Sequence, residues 1–272
     1  MIPYIIADTT YNHEGDLQYL WEMTDELAAV HVDAVKYHLL FDIDEYMSRS
    51  HPAYEKIKKM LIPEEKWDYI IDHAVEKNID VVLLCDDKKS LRYAMRRNDI
   101  HEIELHSSAI TDYALLEVAS RYPKAMMLGI GGATFEEIHT ALGYLGQNVT
   151  LMYGFNGWST NPIDINLRRM RYIQETFKRP VGYADHTIWN HPDNIWISCC
   201  AALNGFPILE KHYTLTPGVE RVDYKESIGK ETLQQIKQMM LFACQIYGSD
   251  LRLSTAEQFF ASKIRKVEGL RR

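Results

Sequence analysis

Eight short apolar runs, rich in β-branched residues, alternate along this chain with longer amphipathic stretches. The runs are Tyr4–Asp8, Ala34–Leu39, Asp80–Cys85, Glu102–Ser107, Ala125–Ile130, Val149–Phe155, Val181–Asp185 and Pro207–Thr214. Helical spacing of apolar residues predicts helices over Leu17–Ala29, Glu64–Glu76, Thr111–Ser120, Thr134–Leu145, Leu167–Phe177 and Asn194–Leu203, with a last one, Glu231–Tyr247, after the eighth run. Eight strands each followed by a helix is the count of a (β/α)8 TIM barrel, and 272 residues suit its size of roughly 250. The competing fold is the doubly wound open sheet. It carries fewer strands and often a glycine-rich first turn, and Asp8-Thr9-Thr10-Tyr11 is not one. The expectation is one α/β barrel domain over residues 1–272 with a short helical tail.

Local signals agree. Thr134 with Glu137 approaches a capping box, and Asp16 and Asp112 suit N-caps. The segment His51–Pro63 is the longest extra piece, placed to form a lid or side helix, and the basic tail after Gly248 reads as a solvated terminal helix. With 30 basic and 38 acidic residues the net charge is −8, so nothing draws the chain to nucleic acid or an anionic membrane. No apolar run approaches the ~20 residues of a spanning helix, and no basic segment precedes the first strand. Cys85, Cys199, Cys200 and Cys244 form no C-x-x-C pair and read as buried thiols of a cytoplasmic protein.

A barrel of this kind keeps its chemistry at the C-terminal ends of its strands. There this chain places Asp8, then Lys36 and His38 on one face of the second run, then Cys85 and Asp86. Glu104, His106 and Ser107 follow on the fourth run, Asp185 and His186 on the seventh, and Glu210 and His212 share a face of the eighth. Valine, isoleucine and leucine normally fill such positions. His186 and His212, on adjacent strands, suit one divalent ion; they also suit two buried histidines satisfied by neighbouring carboxylates.

The motifs Tyr11-Asn12-His13-Glu14-Gly15, Asp33-Ala34-Val35-Lys36, Gly182-Tyr183-Ala184-Asp185-His186-Thr187 and Glu210-Lys211-His212-Tyr213-Thr214-Leu215 resemble the sialic acid synthase (N-acetylneuraminate synthase) family. Asp164-Ile165-Asn166-Leu167 and Ala133-Thr134-Phe135-Glu136-Glu137-Ile138 are similar in order and spacing. The resemblance runs from about Ile5 to Gln235. It implies a (β/α)8 barrel that condenses phosphoenolpyruvate with an N-acylated sugar to a keto sugar acid, using a divalent metal such as Mn2+. It implies His186 and His212 as metal ligands and Lys36, Ser107, Asn156 and Asp223 as substrate contacts. The implied partners are a small-molecule sugar, phosphoenolpyruvate and a second copy in a homodimer, with no nucleic acid and no membrane.

The departures from the family pattern fall on one subset of residues. Asp8 replaces a glutamate, His38 a glutamine and Trp158 a tyrosine. Glu104 stands where the family has a phosphate-binding lysine and Ala109 where it has a catalytic glutamate. Gly129 and Ala184 replace serines. The family's C-terminal antifreeze-like domain is not expected within these residues. One charge about 5 Å from another interacts by about 3 kcal/mol at an effective dielectric near 20, and exchanging a cation for an anion doubles the swing. The expected phosphate site is therefore weakened unless Glu104 is neutral, paired with Lys36 or turned away, with His106 as a replacement cation. The catalytic candidates are Asp8, Lys36, His38, Glu104 and His106, and three functions fit: a divergent keto-sugar-acid synthase; another metal-assisted carbonyl reaction, of aldol or isomerase type, with Glu104, His106 and Asp8 as new acid/base groups; and a catalytically silent barrel that binds a sugar or a partner. Trp158 and Tyr183 are candidates to stack on a sugar ring.

Overall fold

Alternation along each strand sends even-numbered side chains of the first two strands into the barrel and odd-numbered ones outward. The computed structural model describes residues 2–154, 159–248 and 254–264. Eight parallel strands, β1 (Tyr4–Asp8), β2 (Ala34–Leu39), β3 (Asp80–Cys85), β4 (Glu102–Leu105), β5 (Met126–Gly129), β6 (Val149–Tyr153), β7 (Val181–Asp185) and β8 (Ile208–His212), close a barrel in chain order. The fold is the (β/α)8 barrel. β4, β5 and β8 are shorter than their apolar runs, and Phe155, the end of the sixth run, lies outside the described residues.

The periodic stretches become helices Leu17–Ala29, Glu64–Glu76, Tyr113–Ala119, Phe135–Leu145, Leu167–Phe177, Asn194–Leu203 and Lys230–Tyr247. A further helix, Lys88–Arg96, fills the connection from β3 to β4 behind an Asp87–Ser90 capping box. Asp16, Asp112 and Thr134 cap as expected, the last in a capping box with Glu137. The segment after β2 carries two short helices, Ile43–Tyr46 and Tyr54–Lys58, and a terminal helix spans Thr255–Ile264. No helix among the described residues is long and apolar enough to cross a membrane.

Two apolar layers hold this together. Outward residues such as Val35, Tyr37, Leu83, Leu105 and Leu151 join the inner faces of the helices in the main core. Inside the barrel Ile6, Ala34, Val82, Met127, Met152 and Ala184 form a plug. Burying one such side chain contributes about 1.5–3 kcal/mol. Above the plug the interior changes character.

Two expectations are corrected here. Tyr183 is an outward residue, 1% exposed in the core between barrel and helices, so it cannot stack on a ligand in the barrel mouth. Of the four cysteines, Cys85 and Cys199 are buried but Cys200 and Cys244 are only half-buried.

Candidate active site

The layer above the plug is made of charge. Strand register sets Asp8 beside both Lys36 and His212, while Glu210 lies beside Ala184 and Glu104 beside Leu84. Lys36 Nζ lies 2.9 Å from Asp8 Oδ2, 3.1 Å from Glu104 Oε2 and 2.7 Å from Glu210 Oε2. It donates a hydrogen bond to Glu104, whereas Glu210 Oε2 is close to Lys36 but outside hydrogen-bond geometry. All four groups are buried. His38 Nε2 sits 3.0 Å from Asp8 Oδ1, which also accepts the Thr10 backbone N–H at 2.8 Å.

One ammonium cannot hold three buried carboxylates ionised. Burial would push Asp8 up, but His38 and Lys36 outweigh it and hold this carboxyl well below the usual range. Burial raises Glu104 against the pull of Lys36. It pushes Glu210 up to about 8, with Glu104 and Asp8 adding to the effect against Lys36. His38 is raised because Asp8 outweighs its burial. The cluster thus carries Lys36, His38 and Asp8 charged, with a proton retained on Glu210 near neutral pH.

The two histidines meet at the rim of this layer, with ring centroids 4.4 Å apart and planes at 75°. His186 Nδ1 donates to the Ala184 carbonyl at 3.0 Å, which fixes its tautomer and turns the Nε2 lone pair into the acceptor. Burial pushes His186 down to about 4 and His212 well below its usual value, so both rings are neutral. His212 Nδ1 is buried without a hydrogen-bond partner, and Nε2 lies 4.0 Å from Asp8 Oδ2. Two neutral imidazoles this close, one with an orphaned nitrogen, fit the donor set of a manganese- or zinc-type ion. No group of three His, Cys, Asp or Glu side chains is arranged for a metal among the described residues, so substrate or water would complete the shell.

The cavity over these groups has a volume of about 410 Å³. It is lined by Asp8, Lys36, His38, Glu104, His106, Ser107, His186, His212 and Asp223, so the structure brings these expected residues together. Asn156 and Trp158 lie outside the described residues. Glu104 is inside the barrel and paired with Lys36, one of the arrangements expected, so the ammonium is already engaged. Two expectations change. His106 is no replacement cation: burial, then the charges of His38 and Lys36, push it down to about 3. Asp185, although it ends β7 beside His186, points outward to a buried ion pair with Lys211 at 3.0 Å and accepts from Ser198.

Sequence reasoning missed Tyr46 and Glu226 as parts of the wall. Asp86, expected at the end of the third run, follows β3 on the wall and accepts from the Tyr11 hydroxyl at 3.0 Å. Glu226, which accepts from Ser159, lies in the long connection after β8 and carried no signal in the sequence.

Comparison with known proteins follows this geometry. The model of the NeuB family matches residues 24–251. The chain is 24% identical over 271 residues to the N,N'-diacetyllegionaminic acid synthase of Legionella pneumophila, covering 92% of this chain and 74% of that one. The crystal structure of an N-acetylneuraminic acid (sialic acid) synthetase from Leptospira borgpetersenii, in complex with citrate, superposes with a TM-score of 0.89 at 24% identity, over 98% of this chain and 93% of that one. A truncated 3-deoxy-D-arabino-heptulosonate 7-phosphate synthase from Thermotoga maritima follows at 0.70 and 17%, over 90% and 87%. Below 25% identity these structures attest the fold alone.

Proposed function

Because the chain belongs to the NeuB family, we propose that it is a nonulosonate-synthase-like enzyme that acts on the carbonyl of an open-chain sugar in the cavity above Lys36. His186 and His212 would hold a divalent ion, which supplies Lewis-acid polarisation of the carbonyl oxygen when bound. Glu210, protonated near neutral pH, is the candidate acid, and Asp8, held ionised by His38 and Lys36, the candidate base. Ser107 and Asp223 line the space where sugar hydroxyls would lie.

Which second substrate meets that carbonyl turns on one observation. Glu104 occupies Lys36 at 3.1 Å, in the place where the family resemblance expects a phosphate-binding lysine. A phosphoenolpyruvate dianion would find Lys36 already engaged by Glu104 with no second lysine on the wall among the described residues, and the missing serine hydroxyls at Gly129 and Ala184 remove about 1 kcal/mol or more each. This favours carbonyl chemistry of aldol or isomerase type without phosphoenolpyruvate. The family's full condensation is the second reading, favoured by the gathering of Lys36, Ser107, Glu210, Asp223 and both histidines in one cavity.

Metal analysis tests the common premise. The purified chain is expected to bind one Mn2+ by calorimetric titration, and His186→Ala and His212→Ala to abolish it while melting as the native protein does. A native chain that binds no divalent ion, or a variant that binds it unchanged, contradicts the proposal.

A further inference from the structure

We propose that the buried Asp185–Lys211 ion pair is a positioning device that aims His186 and His212 at one divalent ion; the inference rests on the metal reading above. Successive residues of a strand point to opposite faces. Asp185 and Lys211 are paired across β7 and β8 and face the helices, while the residue after each, His186 and His212, faces the cavity. The register of the two strands ends on that rung. The two imidazoles therefore stand one residue past the last shared rung, where the contact of 3.0 Å between Lys211 Nζ and Asp185 Oδ2 ties the strands by their side chains.

The tie is anchored in a network. Asp185 Oδ1 accepts the Thr187 backbone N–H at 2.9 Å and the Thr187 hydroxyl at 2.6 Å, so one carboxylate holds the chain on both sides of His186. Its Oδ2 accepts the Ser198 hydroxyl at 2.9 Å. Lys211 Nζ donates to Asn194 Oδ1 at 3.0 Å, and Asn194 Nδ2 donates to the Ile188 carbonyl at 2.9 Å. Asn194 and Ser198 belong to the helix Asn194–Leu203, so that helix, both strand ends and the turn after His186 close on one ion pair. All five side chains are buried.

Stability alone does not call for these charges. A buried ion pair repays its desolvation only in part, and apolar residues of similar volume often hold such a place as well or better. Apolar packing has no direction, whereas hydrogen bonds fix the plane of a carboxylate and of the peptide it holds. On the cavity side the two rings lie with centroids 4.4 Å apart, and His186 Nδ1 meets the Ala184 carbonyl at 3.0 Å, which leaves Nε2 as the acceptor. Groups that orient metal-binding histidines without touching the ion typically carry about 10–100-fold of its affinity.

The test is calorimetric Mn2+ titration of the whole chain carrying Asp185→Asn together with Lys211→Met. This double variant removes both charges, keeps an acceptor for Thr187 and leaves no buried ion unpaired. Mn2+ is expected to bind at least about tenfold more weakly while the protein melts as the native chain does. Leu209→Ala, at a buried outward position of β8, is the control. It should lower the melting temperature and change Mn2+ affinity by less than about twofold. Native Mn2+ affinity in the double variant, or an equal loss in Leu209→Ala, makes the pair a structural one and overturns the inference. Nitrogen NMR of the imidazoles in the metal-free chain reads the rings directly. The native chain should show His186 in the single Nδ1–H tautomer and the double variant a mixture of both. A native chain that binds no Mn2+ overturns the metal reading, and the imidazole spectrum then decides the positioning: signals unchanged in the double variant overturn it. Should the double variant fail to fold, Ser198→Ala takes one bond from Asp185 and unpairs no charge. The same two measurements then apply to it, with Mn2+ binding about threefold weaker expected and native values in both overturning the inference.

Discussion

A lysine ringed by three buried carboxylates settles its own charge state. Asp8 keeps its charge because His38 shares it, and Glu210 takes up a proton. The sign of the consequence follows from linkage. Glu210 titrates at about 8 in the folded chain, against an ordinary value of 4.5. Between those values the unfolded chain has released this proton and the folded chain retains it. The contribution of Glu210 to stability is therefore complete below about pH 4.5 and is lost as the pH rises to about 8, beyond which it is level. Glu210→Gln cannot titrate. Urea unfolding of the metal-free protein should show the native chain losing stability relative to this variant by at most about 1.4 kcal/mol per pH unit across that window. A difference that stays flat with pH would contradict the assigned proton. Parity along β1 and β2 made Asp8, Lys36 and His38 legible as inward neighbours from the sequence. The proton on Glu210 was not legible, because it depends on residues of β1, β2, β4 and β8 meeting at one point.

Elements decide which departures from the family pattern are reversible. Gly129 ends β5 where the family resemblance expects a serine. A Cβ built there would stand 2.5 Å from the Ser107 backbone nitrogen and 3.1 Å from the His106 carbonyl carbon. Both obstacles are backbone, held by the 3-10 turn Ser107–Thr111 that follows β4, so the chain cannot yield by rotating a side chain. Gly129→Ser is expected to lower stability by about 1–3 kcal/mol in chemical unfolding, the usual cost of overpacking. It should add nothing to phosphate release; a stable variant with restored phosphoenolpyruvate turnover would show that β5 and the turn can separate. Strands and helices were legible because period 2 and period 3.6 rarely imitate each other over eight repeats. Tyr183 and Asp185 were not placed correctly from pattern, since a strand end shows a residue's level in the barrel and only the register shows its face. Tyr46 and Glu226 lie in the connections after β2 and β8, where strand periodicity carries no information.

For the whole molecule, the barrel is an apolar plug under a carboxylate-rich bowl, with two neutral histidines at its rim. The resemblance in sequence foresaw the barrel and the histidine pair. It foresaw Glu104 beside Lys36 as one arrangement, but not Tyr46 and Glu226 in the wall, which come from the connections after β2 and β8. The central claim is that this bowl retains carbonyl chemistry and has lost the phosphoenolpyruvate site. The direct measurement is phosphate release from phosphoenolpyruvate with Mn2+ and a panel of free and N-acylated hexosamines, run in parallel on the native chain and on the double variant Glu104→Lys, Ala109→Glu. The account predicts release near background from the native chain and a clear gain in the double variant, which returns a cation to the anion site and a carboxylate to the turn after β4. Release by the native chain on the order of 1 per second or faster, the range of ordinary enzymes, would contradict it.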